Sequence, residues 1–383
     1  MIALTLSSIR RLLFVTAVVA LILTAGLAPA AGQTPPPQPR PQVLPPNPRL
    51  QVPMDPERAR QLYVSKDPKD QSVGSNFARD MEQKAQIDKR YEEACRGIID
   101  YQKITYRSPI GDLDIPAYLF QPINTRGAKG HAAMVWVHGG VHGNWGIGMF
   151  PFVKEAVERG YVIIAPDYRG STGYGEAFHK EIDYGGYEVD DVAGAVDYLK
   201  TLPHVDPDRL GIMGWSHGGY ITLFNVFRDT HAFKAAAAIV PVTNLVFRLS
   251  FKGPSYQWDF ATQKRIQGLP FEKPALYIER SPLYHVDKLQ VPLLVHVATN
   301  DEDVNFVEDQ QMVDALRSRK SDLAQTKIYK DPLSGHSYSR RVDPKTLLRM
   351  DTPEQIDSWN LTWAFFEWTL KPYVDKSKPS GGK

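Results

Sequence analysis

The stretch GWSHGGY, Gly214 to Tyr220, sets Ser216 in a Gly-x-Ser-x-Gly frame. Just upstream, Arg209 to Met213 (RLGIM) reads as a short buried strand. Just downstream, Tyr220 to Val226 (YITLFNV) reads as the start of an apolar helix. A serine held between strand and helix sits on a sharp, strained turn that lifts its hydroxyl above the sheet. Glycine is needed at both flanks because a side chain there would collide with the neighbouring strand or helix. Chance alone supplies such a frame in about one chain of this length in ten, so its partners and context decide its meaning.

The context is strand alternating with helix from about Asp100 onward. Tyr101 to Arg107 and Asp114 to Phe120 read as strands flanking a Gly111-Asp112 turn. Ala132 to Val137, Tyr161 to Ala165, Ala236 to Val240, Pro292 to Ala298 and Thr326 to Tyr329 are short apolar runs of strand length. Helical spacing marks Phe150 to Glu158, Val189 to Leu199, Val307 to Arg317 and Pro353 to Leu370. In the last of these, Trp359, Trp363, Phe366 and Trp368 are expected to supply aromatic packing. Buried strands alternating with helices predict an α/β fold: a mostly parallel central sheet with helices on both faces. Residues 100–373 form one domain of this kind on this reading, with a frayed tail over 374–383.

A serine hydroxyl is a poor nucleophile at neutral pH and needs a base within hydrogen-bond reach. In an α/β-hydrolase the partners follow in the order serine, acid, histidine. The strand ending in VHVATNDEDV places Asp301, Glu302 and Asp303 at its C-terminal edge, on the same side of the sheet as Ser216. DPLSGHSY then places His336 in a loop just past the Tyr329 strand. Asp301, which opens the turn, is assigned as the acid, with Asp303 as the alternative; the others read as solvated carboxylates or a helix N-cap. The backbone N–H of His217, the residue after the nucleophile, is one expected oxyanion donor. The second is expected from the loop Val137-His138-Gly139-Gly140, where adjacent glycines let N–H groups face a developing negative charge. His138 and His142 are four apart, but neither a helix nor a third ligand accompanies them, so no metal is expected.

The N-terminal quarter reads differently. Arg10 and Arg11 precede an uncharged apolar run from Leu12 to Leu27, and Ala28-Pro29-Ala30 follows with small residues. That is the pattern of a secretory signal peptide over residues 1–30, and it predicts an exported, periplasmic or secreted protein without a stable membrane span after cleavage. An uncleaved anchor is the alternative. Residues 31–56 are proline-rich and read as an extended spacer. Residues 57–99 are polar and charged, and one or two surface helices are expected there, around Met81 to Ile98. The single cysteine, Cys95, cannot form an internal disulfide, so the fold must be held by its core. A formal net charge of +2, without a Lys/Arg cluster interleaved with aromatics, argues against a nucleic-acid partner.

Together these pieces resemble the catalytic domain of the prolyl oligopeptidase family of serine peptidases, in its acylaminoacyl-peptidase and dipeptidyl-peptidase branch. The resemblance runs from about Tyr101 to Tyr373. It is carried by VHGG at Val137, DYRGSTGYG from Asp167 to Gly175, GWSHGGY, SPLYHVDKLQVPLLVH from Ser281, the acid turn before Val304, and Gly335-His336. It implies Ser216, Asp301 and His336 as a triad, the amides of Gly140 and His217 as the oxyanion hole, and no cofactor. The substrate it implies is a peptide or acyl-amino-acid bond; a carboxylesterase using the same triad is the alternative. Oligomeric state is not implied. There are departures from the family pattern. His296 and Asp301 are one residue further apart than usual, and Val141 stands where relatives commonly have proline. Thr262 and Ile266 stand where the dipeptidyl branch has tyrosines that grip proline; Tyr256, Trp258 and Phe260 are candidates to line the acyl pocket instead. Full-length relatives also carry an N-terminal β-propeller. The roughly 70 residues between the apolar run and the hydrolase region are too few for two blades of ~40 residues. A more open site is therefore expected, gated by residues 242–278 and the N-terminal helices.

Overall fold

The computed structural model describes residues 76–378. The apolar run, the cleavage pattern and the proline-rich spacer lie outside the described residues. Among the described residues no helix is long and apolar enough to cross a membrane.

Eight strands form one sheet: β1 Asp100–Arg107, β2 Asp114–Gln121, β3 His131–Val137, β4 Val162–Pro166, β5 Val205–Trp215, β6 Ala235–Ile239, β7 Leu293–Ala298 and β8 Ala324–Tyr329. Their order is β1-β2-β4-β3-β5-β6-β7-β8. The pairs β1–β2 and β2–β4 are antiparallel. From β4 to β8 every pair is parallel. Strands β3, β4, β6 and β7 are buried along their whole length. That explains why they read as continuous apolar runs rather than alternating ones: a parallel sheet covered on both faces has no wet side.

Ten α-helices lie among the described residues: α1 Phe77–Cys95, α2 Phe150–Glu158, α3 Glu176–His179, α4 Tyr187–Thr201, α5 His217–Val226, α6 Leu245–Phe251, α7 Pro254–Ala261, α8 Pro274–Glu279, α9 Phe306–Arg319 and α10 Pro353–Leu370. One core cluster unites Val135, Val137, Ile212 and Leu293 with apolar residues of α4, α5 and α9. The other unites Met134, Trp136, Met213 and Leu294 with α1, α2 and α10. Alternate residues of β3 thus feed opposite cores, as a strand's period of two requires.

Three expectations need correction. Helix α1 is more than a surface helix, because Lys84, Tyr91 and Cys95 are buried beneath it. In α10 the spacing of Trp359, Trp363, Phe366 and Leu370 keeps all four on the buried face, whereas Trp368 falls on the opposite side and is 68% exposed. The tail is pinned at its start: Arg209 Nη1 donates to the carbonyls of Lys371 and Val374 at 2.9 Å each, and Lys376 pairs with Asp206 at 2.7 Å.

Because β4 lies on one side of β3 and β5 on the other, the chain reverses its direction of growth at β3. Open parallel sheets bind ligands in the crevice that such a switch creates, at the carboxyl ends of the strands. The loops after β3, β5, β7 and β8 all emerge there.

Candidate active site

Ser216 lies between the last residue of β5 and the first of α5, at φ 54° and ψ −119°. A non-glycine residue at that φ is strained, and the surroundings must enforce it. Here they do. The Ser216 N–H donates to Ile239 O at 2.9 Å, and its carbonyl accepts from Tyr220 N at 2.9 Å. The glycines make the turn possible by close approach. A Cβ on Gly214 would stand 2.2 Å from Gly218 O, and one on Gly218 would stand 2.3 Å from Val137 O. The helix begins at His217, immediately after the serine, rather than at Tyr220. The His217 N–H is therefore among the first amides of α5 and has no acceptor within the helix.

The acid and the histidine meet. Asp301 Oδ1 accepts the N–H groups of Asp303 and Val304 at 2.9 Å each, which turns Oδ2 toward His336 Nδ1 at 2.7 Å. His336 sits on a single 3-10 turn, Gly335–Ser337, entered through Ser334 at φ 75°. Gly335 allows this turn to press against the acid loop, since a Cβ there would lie 2.6 Å from Asn300 O. Asp303 has a different place. Its Oδ2 is 3.3 Å from the other ring nitrogen, His336 Nε2, without a hydrogen bond between them, and its Oδ1 pairs with Lys252 at 2.7 Å. Burial pushes its pKa up, but Lys252, Arg248 and His336 more than offset that and hold it below the usual carboxylate value. Neither acid caps α9; that role falls to Asn305, whose side chain accepts from Val307 N.

The loop after β3 runs over the serine turn. A Cβ on Gly139 would lie 2.9 Å from Trp215 O and 3.3 Å from Ser216 Cβ, so only glycine lets the two loops touch. Gly140 follows at φ +78°, its carbonyl held by the Tyr168 hydroxyl at 2.7 Å. This loop is fastened from beneath by a buried cluster that sequence reading missed. Asp167 accepts Trp145 N–H at 2.6 Å and the Tyr174 hydroxyl at 2.5 Å. Lys84 of α1 pairs with it at 2.5 Å and donates to Trp145 O at 3.1 Å. Burial pushes the Asp167 carboxyl up, yet Lys84, His138 and Tyr174 together hold it below its ordinary value. His138 Nε2 lies 2.9 Å from Ser171 Oγ and 3.5 Å from Asp167, and burial lowers its pKa to about 4. The DYRGSTGYG stretch carried a signal for Asp167, but a lone lysine in a polar helix carried none for its partner.

Residues 242–278 fold as α6, α7 and the start of α8 beside the site. The three candidate pocket residues part company there. Phe260 is buried against Tyr184 and Tyr277, with ring centroids at 4.6 and 5.4 Å. Trp258 is 70% exposed. Only Tyr256 faces a polar group toward the acid loop: its hydroxyl accepts from Arg248 Nε at 2.9 Å, and Arg248 Nη1 donates to Asp303 O at 3.0 Å. The His217 ring is buried among Tyr168, Tyr184 and Tyr220. Its Nε2 lies 3.6 Å from Glu188, whose carboxyl burial raises to about 8. His142 bonds to Gly170 O and stacks on His179, so it shares no partner with His138.

Residues 150–352 match the profile of the prolyl oligopeptidase family. An uncharacterized peptidase of Bacillus subtilis is 31% identical over 67% of this chain and 38% of its own length. The acylamino-acid-releasing enzyme of Rattus norvegicus is 26% identical over 63% of this chain and 32% of its own. Among solved structures, a puromycin-hydrolyzing peptidase of Mycobacterium tuberculosis superposes with a TM-score of 0.58 and 27% identity, over 74% of this chain and 40% of that one. The acylaminoacyl peptidase of Pyrococcus horikoshii shares the fold, with a TM-score of 0.59 and 22% identity over 76% of this chain and 45% of its own. The chain thus spans about a third of the length of the curated relatives it matches.

Proposed function

Because the chain belongs to the prolyl oligopeptidase family of serine peptidases, we propose that it hydrolyses peptide or acyl-amino-acid bonds through an acyl-enzyme on Ser216. The Ser216 hydroxyl attacks the carbonyl carbon while His336 Nε2 takes its proton. The resulting oxyanion accepts hydrogen bonds from the N–H groups of His217 and Gly140, each worth roughly 3–4 kcal/mol in the transition state. His336 then gives the proton to the leaving nitrogen. Water enters, His336 activates it, and the acyl group departs. Asp301 keeps the proton on Nδ1, leaving Nε2 free to act as base, and stabilises the imidazolium that forms.

The observation that carries this reading is the enforced strain at Ser216. A φ of 54° on a buried serine costs on the order of 1–3 kcal/mol and persists where the surroundings over-determine it. The His336–Asp301 contact at 2.7 Å supports it independently. Export rests on the N-terminal apolar run, and fractionation of the expressed protein tests it.

Ser216→Ala should lower turnover on the order of 10⁶-fold. A fluorophosphonate should label the native protein at Ser216 and fail to label the variant. Matched p-nitroanilide and p-nitrophenyl ester substrates decide between amide and ester chemistry: serine-dependent hydrolysis of esters alone would make this a carboxylesterase on a peptidase fold. Near-normal turnover in the alanine variant would overturn the mechanism.

A further inference from the structure

On the α1 and α10 side of the sheet, next to the serine turn, lies a cavity of about 290 Å³. Its walls are the loop after β3 from Val137 to Met149, Trp136 and Trp215 from the sheet, Arg90 of α1, and the chain from Arg340 to Leu347. Small-molecule sites start at roughly 300 Å³, so the space suits one or two amino-acid residues.

Its chemistry is lopsided. Met149, Val342, Pro344 and Leu347 give it an accessible apolar face, with Trp136, Trp145 and Trp215 almost wholly buried behind it, while Arg340 and Arg90 bring two positive charges. The lining includes no aspartate or glutamate. Among the described residues neither arginine has an ion-pair partner. Arg90 Nη2 donates to Pro344 O at 2.8 Å. The Arg340 guanidinium lies over the Trp215 ring, 4.9 Å from its centroid, and among the described residues its side chain makes no hydrogen bond. Burial pulls the Arg340 pKa down, against the pull of Asp303 and Asp301. A half-buried arginine stacked on tryptophan with its donors unspent is arranged for a planar anion, which a carboxylate is.

The position of the cavity says which part of a substrate would enter. His336 must stand beside the leaving nitrogen in order to protonate it. The chain that carries His336 runs four residues on to Arg340 and becomes the cavity wall, and Trp215 Nε1 donates to His336 O at 3.3 Å.

We propose that this cavity is a leaving-group subsite for a carboxylate: the enzyme prefers substrates whose departing amine carries a carboxylate that Arg340 and Arg90 bind, with an apolar body against Met149, Val342 and Leu347. This rests on the peptidase reading above. The carboxylate can come from a free peptide C-terminus or from an acidic side chain, and the test separates them.

The acyl group whose p-nitroanilide is cleaved best is joined in turn to Phe with a free carboxylate, to Phe-amide, and to Asp-amide. Release of each amine is followed chromatographically at low ionic strength. A charge-assisted contact predicts that kcat/KM for the free acid exceeds that for Phe-amide about ten- to hundredfold. Preference for Asp-amide over Phe-amide instead supports the site with a side chain as the source. In Arg340→Gln the ratio should fall toward one, and Arg340→Lys should keep part of it. Equal kcat/KM in all three arms of the unaltered enzyme, with serine-dependent anilide hydrolysis intact, overturns the subsite and leaves the peptidase reading standing. Loss of serine-dependent hydrolysis throughout overturns both.

Discussion

Replacing Lys84 by methionine removes one charge from a pair that is almost wholly buried: Lys84 is 2% exposed and Asp167 0%. Methionine keeps most of the lysine stem's volume, so the change is chiefly electrostatic. It strands a carboxylate that Tyr174, Trp145 and His138 cannot neutralise while His138 is uncharged. Removing one partner of a buried pair costs roughly 3–5 kcal/mol, so a loss of about 4 kcal/mol is expected. For the roughly 300 described residues, 4 kcal/mol lowers Tm by about 6 °C. Urea unfolding followed by circular dichroism measures the loss, and the double variant Lys84→Met/Asp167→Asn isolates the pair. Because the double variant strands no charge, it should be at least about 2 kcal/mol more stable than the sum of the single losses predicts. Activity should fall in Lys84→Met as well, about tenfold in kcat/KM, because Asp167 and Lys84 both hold Trp145 and with it the loop that carries Gly140. A single-variant cost below about 1 kcal/mol, or strict additivity in the double variant, would refute the claim that α1 fastens this loop through its charge.

Two further predictions test the acids. Asp301→Asn should lower kcat by roughly 10⁴-fold, as loss of the orienting carboxylate does in other triads. Asp303→Asn should cost less than about tenfold, because its carboxylate makes no hydrogen bond to the imidazole; a larger effect from Asp303 would reverse the assignment. Glu188 makes a pH prediction. Its carboxyl is raised from 4.5 to about 8 in the folded protein, so its contribution to stability is fully present below about 4.5 and is lost as pH rises through 8. The loss amounts to roughly 5 kcal/mol. Glu188→Gln should remove that slope between pH 5 and 8.5 in chemical denaturation, and an unchanged slope would count against a buried, protonated Glu188.

The sequence was most informative where one residue's chemistry depends on its immediate neighbours. The serine turn was legible because glycines at 214 and 218 answer a local steric demand. The buried strands were legible because a parallel sheet with two covered faces leaves unbroken apolar runs. The order Ser216, Asp301, His336 followed from which strands those residues follow, and the acid turn needed only the backbone N–H groups of Asp303 and Val304 to aim its carboxylate. What the sequence by itself determined, then, is the fold class and the residues gathered at one edge of the sheet. Tertiary structure alone decided the rest. Tyr256, Trp258 and Phe260 share one short segment but face a polar network, solvent and core respectively, because direction on a helix is settled by what packs against it. Lys84 and Asp167 are 83 positions apart, and Arg90 and Arg340 are 250 apart. A charge is read as surface or as site only by what surrounds it in space, and local sequence periodicity does not carry that information.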